Sequence, residues 1–291
     1  MNYRHMLLAL LVAAIWGVNF TVISIGLGSF PPLLLAAMRF AIAAAPALVL
    51  PRPAMPWWRL VAISSTLFLG QFALLFSSMA VGMPAGLASV TLQSQAFLTI
   101  LIAILVLGER PARRQILGAL VALAGLAAIA STVGGDLSAA GLALCIGAAL
   151  CWAIGNILLK GAGKTDMFAL VAWLSLLPPL PLLLLSMMID GTATVERAIT
   201  AMDWRAAGAV LYIALLSTTL CFAIWGRLLR LYPASTVAPF SLLVPIFGAV
   251  SAALALGERF DIARVAGMAL ILLGLAILMA PLRRAALARR A

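Results

Sequence analysis

Leu107-Gly108-Glu109-Arg110 returns as Leu256-Gly257-Glu258-Arg259, 149 residues further along the chain. At the same spacing Pro84-Ala85 matches Pro233-Ala234, Gly118 matches Gly267, and Gly125-Leu126-Ala127 matches Gly274-Leu275-Ala276. Near the start of each half, Trp16-Gly17-Val18-Asn19 has a looser counterpart in Trp152-Ala153-Ile154-Gly155-Asn156. One sequence unit is thus present twice.

The repeat runs through 291 residues of which 65% are hydrophobic and only 9% charged, a composition that cannot make a water-facing surface. A mean hydropathy of +1.20 comes from a series of apolar runs of about 20 residues, the length a helix needs to cross a bilayer. Ten spans are expected, over 6–27, 31–50, 59–81, 84–107, 115–132, 138–159, 168–189, 204–229, 234–256 and 263–281. Helices are required because backbone groups in hydrocarbon must bond within their own segment, and the runs lack the alternation of a barrel strand. The fold class expected is therefore an all-α membrane protein with two repeats, 1–134 and 135–291, of five transmembrane helices each. An odd number of spans per repeat inverts the second copy relative to the first. Inverted repeats point to alternating access around a midplane site.

The same reading excludes other classes. A net charge of +11 is spread one to four residues at a time between the apolar runs, with no basic face to follow a phosphate backbone, so no nucleic-acid partner is expected. Cys145, Cys151 and Cys221 fall inside apolar runs and His5 is the one histidine, which leaves no metal constellation, disulfide or cofactor site. The chain has no Gly-x-Ser-x-Gly elbow, His-Glu-x-x-His helix, phosphate loop or intramembrane carboxylate pair, so it is not expected to be an enzyme. The stretch 6–27 is too long for a signal-peptide core and reads as the first span. The partners left are the lipid bilayer and a small-molecule substrate. Nothing in the pattern fixes an oligomeric state.

The second span, Pro31-Pro32-Leu-x-Leu-Ala-Ala-Met-Arg39-Phe40, the start Trp16-Gly17-x-Asn19-Phe20, the stretch from Pro84-Ala85-Gly86-Leu87-Ala88-Ser89 to Gln93-Ser94-Gln95-Ala96-Phe97 and the paired Gly-Glu-Arg ends carry a family likeness. With the five-plus-five layout, the chain resembles the EamA family of the drug/metabolite transporter superfamily over essentially its whole length. Within that family it is most similar to bacterial inner-membrane exporters of O-acetylserine and cysteine, and more distantly to YddG-like amino-acid exporters. The resemblance implies a secondary transporter of small amino acids or related metabolites. Exporters of aromatic amino acids or drugs, and a non-transporting membrane scaffold, stay open as alternatives.

The substrate site must be sought among polar groups at depth, each of which costs free energy unless it finds a partner or water. Arg39 lies roughly 13 Å into the second span at 1.5 Å per residue. An arginine at that depth costs about 2.5 to 3.5 kcal/mol on insertion scales, and all eight acidic residues fall in loops or at span ends. A substrate carboxylate or a set of helix carbonyls and amides must therefore answer it. Thr91, Gln93 and Gln95 in span four, Gln71 in span three, and Tyr212 and Ser217 in span eight complete a neutral lining suited to a small zwitterion. The other reading of these amides and hydroxyls is as bridges between helices, worth roughly 0.6 kcal/mol each. Asn19 and Asn156 occupy related places toward opposite membrane ends, as gates would. Trp16 and Trp152 beside them are packing residues or gates, and Pro239 and Pro245 mark a bend in span nine. Pro46 and the Pro178, Pro179 and Pro181 cluster mark bends in spans two and seven.

With the N-terminus inside, fourteen of the nineteen basic residues fall on the inner side; Arg197, Arg205, Arg259 and Arg264 fall outside, and Arg39 lies within a span. Both termini of this inner-membrane protein are therefore expected in the cytoplasm. Topology reporters fused before Met6 and after Pro281 should both read cytoplasmic, and one in the hinge between the repeats should read periplasmic. Termini on opposite faces would remove the inverted layout.

Overall fold

The computed structural model describes residues 1–109, 111–160 and 166–279. No strand occurs among them, and an isolated bridge between Gly134 and Leu137 closes the turn joining the two halves. Ten apolar helical segments follow one another: α1 Tyr3–Leu27, α2 Pro32–Leu48, α3 Trp57–Ala80, α4 Ala85–Leu107, α5 Arg113–Ala130, α6 Ala139–Lys160, α7 Met167–Asp190, α8 Trp204–Leu231, α9 Ala238–Leu256 and α10 Ile262–Met279. Nine of these are long and apolar enough to cross a membrane, and α2 is shorter. In α2 the α-helix holds only to Ala43 and tightens to a 3₁₀ turn over Ala45–Leu48, where Pro46 has no N–H to continue the ladder. A short helix over Thr192–Thr200, which hydropathy alone leaves as a loop, joins α7 to α8. The expected end of the last span at Pro281, and Arg110, Lys164, Arg283, Arg284, Arg289 and Arg290 of the charge count, lie outside the described residues.

Side-chain caps and left-handed glycines set several boundaries. Asn2 accepts from the His5 N–H at 2.9 Å, Asp166 from Phe168 at 2.8 Å, and Asp203 from Ala206 at 2.8 Å, each satisfying an orphan donor of a first turn. At the other end, Gly108 and Gly257 stop α4 and α9 at φ +64° and +69°, and the N–H groups of Glu109 and Glu258 reach back to Ala103 and Ala252 at the same 3.3 Å. The repeated Gly-Glu therefore adopts one backbone geometry twice.

Contacts among the connections sort the helix ends into two faces. Asn2 and His5 meet Tyr232, Glu109 meets Lys160, and Asp166 meets Arg230 at the face where α1 begins, called proximal here. Gly82 meets Ser138, Glu258 meets Ala85, and Arg264 meets Asp136 at the opposite, distal face. α1 starts proximally and α6 distally, so the two halves are threaded in opposite senses. Departures from α-helical winding obey the same relation: π-helical turns occupy Ser65–Gly70 in α3 and Tyr212–Leu220 in α8, and 3₁₀ turns occupy Leu92–Ser94 in α4 and Ala238–Leu243 at the start of α9.

The pseudo-twofold axis passes between α5 and α10. A Cβ on Gly118 would lie 2.7 Å from the Gly274 carbonyl, and one on Gly125 would lie 2.6 Å from that of Gly267. These two crossings exchange under the repeat, and only glycine lets the backbones approach so closely.

Packing breaks the symmetry. The helical part of α9, Val244–Leu256, lies along α1 and along the first half of α4 at the distal face. At the proximal face the second half of α4 packs on α6 and α5, while 234–243 keeps to α1 and α10 and makes no comparable approach to α4, α5 or α6 among the described residues. The bundle is thus drawn together distally and parted proximally. A bulky side chain at the glycine crossing must force α5 from α10: Gly125→Leu should lower the thermal midpoint by several degrees, given roughly 1–3 kcal/mol for overpacking. The exposed Leu120→Ala should leave it in place, and equal melting of the two variants would remove this crossing.

Candidate functional site

Arg39 is 3% exposed and sits two turns into α2. Its Nε donates to Thr218 Oγ1 at 2.9 Å, and its guanidinium lies 4.2 Å from the centroid of the Phe72 ring. Nη1 is buried with no hydrogen-bond partner among the described residues. No carboxylate or ring of carbonyls neutralises it among the described residues; a hydroxyl and an aromatic face do part of the work, and one edge of the fork is left over.

The π turn of α8 makes this arrangement possible. Widening the helix by one residue lets Thr218 and Thr219 donate their hydroxyls to the carbonyls of Ile213 and Ala214, five residues back, at 2.7 and 3.0 Å. With its proton committed to Ile213, Thr218 Oγ1 has lone pairs to offer Arg39. The same turn frees the Ser217 carbonyl, which accepts from Trp16 Nε1 at 2.9 Å. Tyr212 donates to the Ile15 carbonyl at 2.9 Å, so Trp16 and Tyr212 brace α1 to the turn from both sides. In α3 the matching π turn ends at Gly70, directly before Gln71 and Phe72.

Arg39 is one member of a larger unsatisfied set. Asn19 Oδ1, Gln71 Nε2, Thr91 Oγ1, Ser94 Oγ and Ser217 Oγ are likewise buried without a partner among the described residues, as are two guanidinium nitrogens of Arg114 at the start of α5. The first five come from α1, α3, α4 and α8; α1 packs on the other three, and α3 and α8 pack on α2. Buried polar groups are ordinarily paired, so such a concentration marks atoms that need a ligand or water.

The residues expected to form the site therefore divide. Arg39, Gln71, Thr91 and Ser217 belong to the buried polar set, with Asn19. Tyr212 lines a separate cavity of about 480 Å³ between the distal ends of α1 and α8. Gln93 is half-buried. Gln95 accepts from Asn156 Nδ2 at 2.8 Å, and Thr99 Oγ1 lies 3.2 Å from the same nitrogen. This contact sits about a turn from the proximal end of α6, above a cavity of about 250 Å³ lined by Thr99, Asn156, Gln115, Glu109 and Lys160. Trp152 is half-buried against the core, Pro239 is exposed within the 3₁₀ turn, and Pro245 is buried, its carbonyl 3.4 Å from Ser89 Oγ. Thr218 carries more of the geometry than the neighbouring Ser217, and Phe72 gave no signal in sequence beyond being aromatic.

Charged groups cluster at the distal face. Arg264 forms a two-pronged pair with Asp136, at 2.9 and 2.6 Å, and the hydrogen bond from its guanidinium holds the Asp136 carboxyl below its ordinary range. The carboxylate oxygens of Glu258 accept from the N–H groups of Ala85 and Gly86 at 2.6 and 2.9 Å, at the start of α4. Burial pushes this carboxyl above its ordinary range, against those two bonds, which favour the ionised form.

The sequence compares closely with known proteins. The model of the EamA-like transporter family matches residues 4–131 and 139–280. A "Probable amino-acid metabolite efflux pump" of Salmonella typhimurium is 40% identical over 284 residues, and one of the same description from Escherichia coli is 39% identical, each match covering 95% of both chains. A "Probable terminal-alkyne amino-acid exporter" of Streptantibioticus cattleyicolor is 28% identical over 81% of this chain and 80% of its own. A crystal structure at 18% identity superposes with a TM-score of 0.64, covering 95% of this chain and 96% of that one, and shares the fold.

The link from Arg39 to the π turn can be tested by stability alone. Thr218→Val removes the acceptor of a buried guanidinium and should cost about 1–3 kcal/mol. Thr219→Val breaks the neighbouring hydroxyl bond without stranding a charge and should cost less. Equal losses in detergent-solubilised melting curves would contradict the assigned role of Thr218.

Proposed function

Because the chain belongs to the EamA-like transporter family, we propose that it exports small amino acids or related metabolites, of the cysteine or O-acetylserine type, across a bacterial inner membrane by alternating access. The observation that carries this reading is the buried Arg39 with an N–H edge unmatched among the described residues, together with neutral polar atoms on α1, α3, α4 and α8 that also lack partners there. A substrate carboxylate offers the edge two acceptors and the charge it lacks. Gln71, Thr91 and Ser217, with Gln93, Gln95 and Tyr212 along the way, supply hydrogen bonds to the rest of a small zwitterion. The names of the relatives agree with such a cargo.

The repeats 1–134 and 135–291 each contribute one wall of the path. Taking the proximal face as the cytoplasmic one, a bundle parted there would admit substrate from the side on which an exporter loads. Asn156 with Gln95 and Thr99 guards that side, Asn19 and Trp16 guard the other, Trp152 packs behind the first gate, and Pro239 and Pro245 let the two halves of α9 move separately. The cargo crosses unaltered, so the protein acts as a carrier and not as an enzyme. A second reading has one observation in its favour: Trp16 meets the rings of Phe222 and Trp225 at 5.3 and 5.2 Å, an aromatic wall beside Ser217 that suits aromatic amino acids or aromatic drugs.

Purified protein in liposomes should move labelled cysteine or O-acetylserine, and unlabelled phenylalanine should compete poorly. Arg39→Ala should abolish flux of carboxylate-bearing substrates without loss of folded protein, and Arg39→Lys should restore only a part, because a point charge cannot repeat the fork or its stacking on Phe72. Flux at the wild-type rate in Arg39→Ala would overturn the assignment of that residue. Strong competition by phenylalanine would favour the aromatic reading, and absence of any flux would leave a membrane scaffold.

A further inference from the structure

Glu109 and Glu258 are the same residue of the repeat, follow the same left-handed glycine, and make the same 3.3 Å backbone bond to the helix they end. Their side chains nevertheless have different partners. Glu258 grips the first two N–H groups of α4 from the α9–α10 connection, across the distal face. Glu109, at the proximal face, forms an ion pair with Lys160, and both side chains are about half exposed. Since the local backbone is alike, the difference lies in what each carboxylate can reach. The repeat-related target of Glu109 is the start of the helical turn Ala234–Val237 that leads into α9, and among the described residues that segment makes no close packing on α4, α5 or α6.

We infer that Glu258 and Glu109 are the two halves of a reciprocal latch, in which Glu258 on the start of α4 holds the distal face shut and Glu109 on the start of the Ala234–Val237 turn holds the proximal face shut in the opposite state. Glu258 meets the first N–H groups of α4, which have no helical partner of their own, together with the positive end of that helix; in the opposite state Glu109 takes the N–H groups at the repeat-related positions. Closing one face therefore offers the same chemistry as closing the other. The Lys160 pair is where Glu109 waits, because an exposed ion pair of this kind holds weakly and is readily exchanged. Gly86 fits the latch from the other side: a Cβ there would lie 2.6 Å from Phe260 and 2.9 Å from the Glu258 carboxylate. The Arg264–Asp136 pair fastens the start of α10 to the connection between the repeats and so fixes the platform from which Glu258 reaches. The residue at the position of Arg264 in the first repeat is Gln115, which among the described residues caps its own helix through Ala112. The distal latch thus has a brace that the proximal one lacks, in keeping with the closed distal face.

The inference rests on the alternating-access reading but not on the identity of the cargo. Its test uses the full chain in lipid nanodiscs without substrate, with Cys145, Cys151 and Cys221 replaced by alanine and paired spin labels introduced at exposed positions. Labels at Val81→Cys and Ile262→Cys report the distal face, and labels at Leu107→Cys and Leu231→Cys report the proximal one. The otherwise unaltered protein should give a short distal and a long proximal distance. Glu258→Ala should raise the population with the distances reversed by roughly tenfold, the effect of losing charge-assisted bonds to two N–H groups. Gly86→Ala should do the same by displacing the carboxylate, Glu109→Ala should leave the resting distances unchanged, and the Glu109→Ala, Glu258→Ala pair should fall back toward the starting distribution. Unaltered distances in both Glu258→Ala and Gly86→Ala would overturn the latch, as would a shift in Glu109→Ala equal to that in Glu258→Ala. If Glu258→Ala does not fold, Gly86→Ala alone decides between the two outcomes. Because the distances are read without substrate, a failure to transport amino acids leaves this result standing, and intact transport with unmoved distances removes the latch alone.

Discussion

Hydrocarbon offers a peptide group no hydrogen-bond partner, and every feature of this protein follows from that constraint or from a managed exception to it. Uninterrupted α-helix is the default because it satisfies each N–H and C=O within one segment. Where the winding changes, the groups set free must be met by something else. In α8 the π turn is met by the Thr218 and Thr219 hydroxyls and by the Trp16 indole. At α3 the Ser64 hydroxyl donates to the Leu174 carbonyl at 2.6 Å, where α7 is interrupted before its prolines. The irregular turns are therefore the points at which side chains of one helix are fastened to the backbone of another.

The same constraint explains the placement of Arg39. A guanidinium at this depth carries a cost of a few kcal/mol, and the protein answers it with one hydroxyl, the faces of Phe72 and Phe40, and no carboxylate among the described residues. A fixed carboxylate would have lowered that cost more fully, but under the proposed function it would also have cancelled the charge offered to a substrate. Partial compensation keeps the cation tolerable in the resting protein and still attractive to an anion. Asn19, Gln71, Thr91, Ser94 and Ser217 are left short in a weaker, neutral form of the same arrangement.

Much of this was legible before any coordinates. The count of apolar runs, the inverted repeat and the depth of Arg39 depend on composition and spacing, which a linear chain carries explicitly. The left-handed ends at Gly108 and Gly257 follow from glycine beside interfacial charge. The position of Phe72 under Arg39 could not be read, because it depends on the rotation that the Ser65–Gly70 turn adds to α3, and no proline marks that turn. The tightening of α2 falls at Pro46, where a bend was expected, whereas the helix over Thr192–Thr200 was missed because hydropathy registers apolarity and not winding. Glu258 reads in sequence as an interfacial charge; its partners at Ala85 and Gly86 lie more than half the chain away and become neighbours only when α9 folds against α4.

An inverted duplication makes two faces that are alike in backbone, and it is the side chains that make one of them the closed face. If the halves were identical in every partner, the two faces would close equally well and neither state would be favoured. If one face held many more bonds than the other, the carrier would stay in one state, since reversing even a 99-to-1 preference takes about 5.5 kcal/mol of differential binding. The arrangement here lies between these limits. Among the described residues Glu258 has the start of α4 while Glu109 has Lys160, and a further brace, Arg264 on Asp136, weights the distal side. In the proposed latch, breaking the distal contact loses bonds of the same chemical type as those that a proximal contact would form, so most of the cost would cancel and leave a remainder that differential substrate binding could supply.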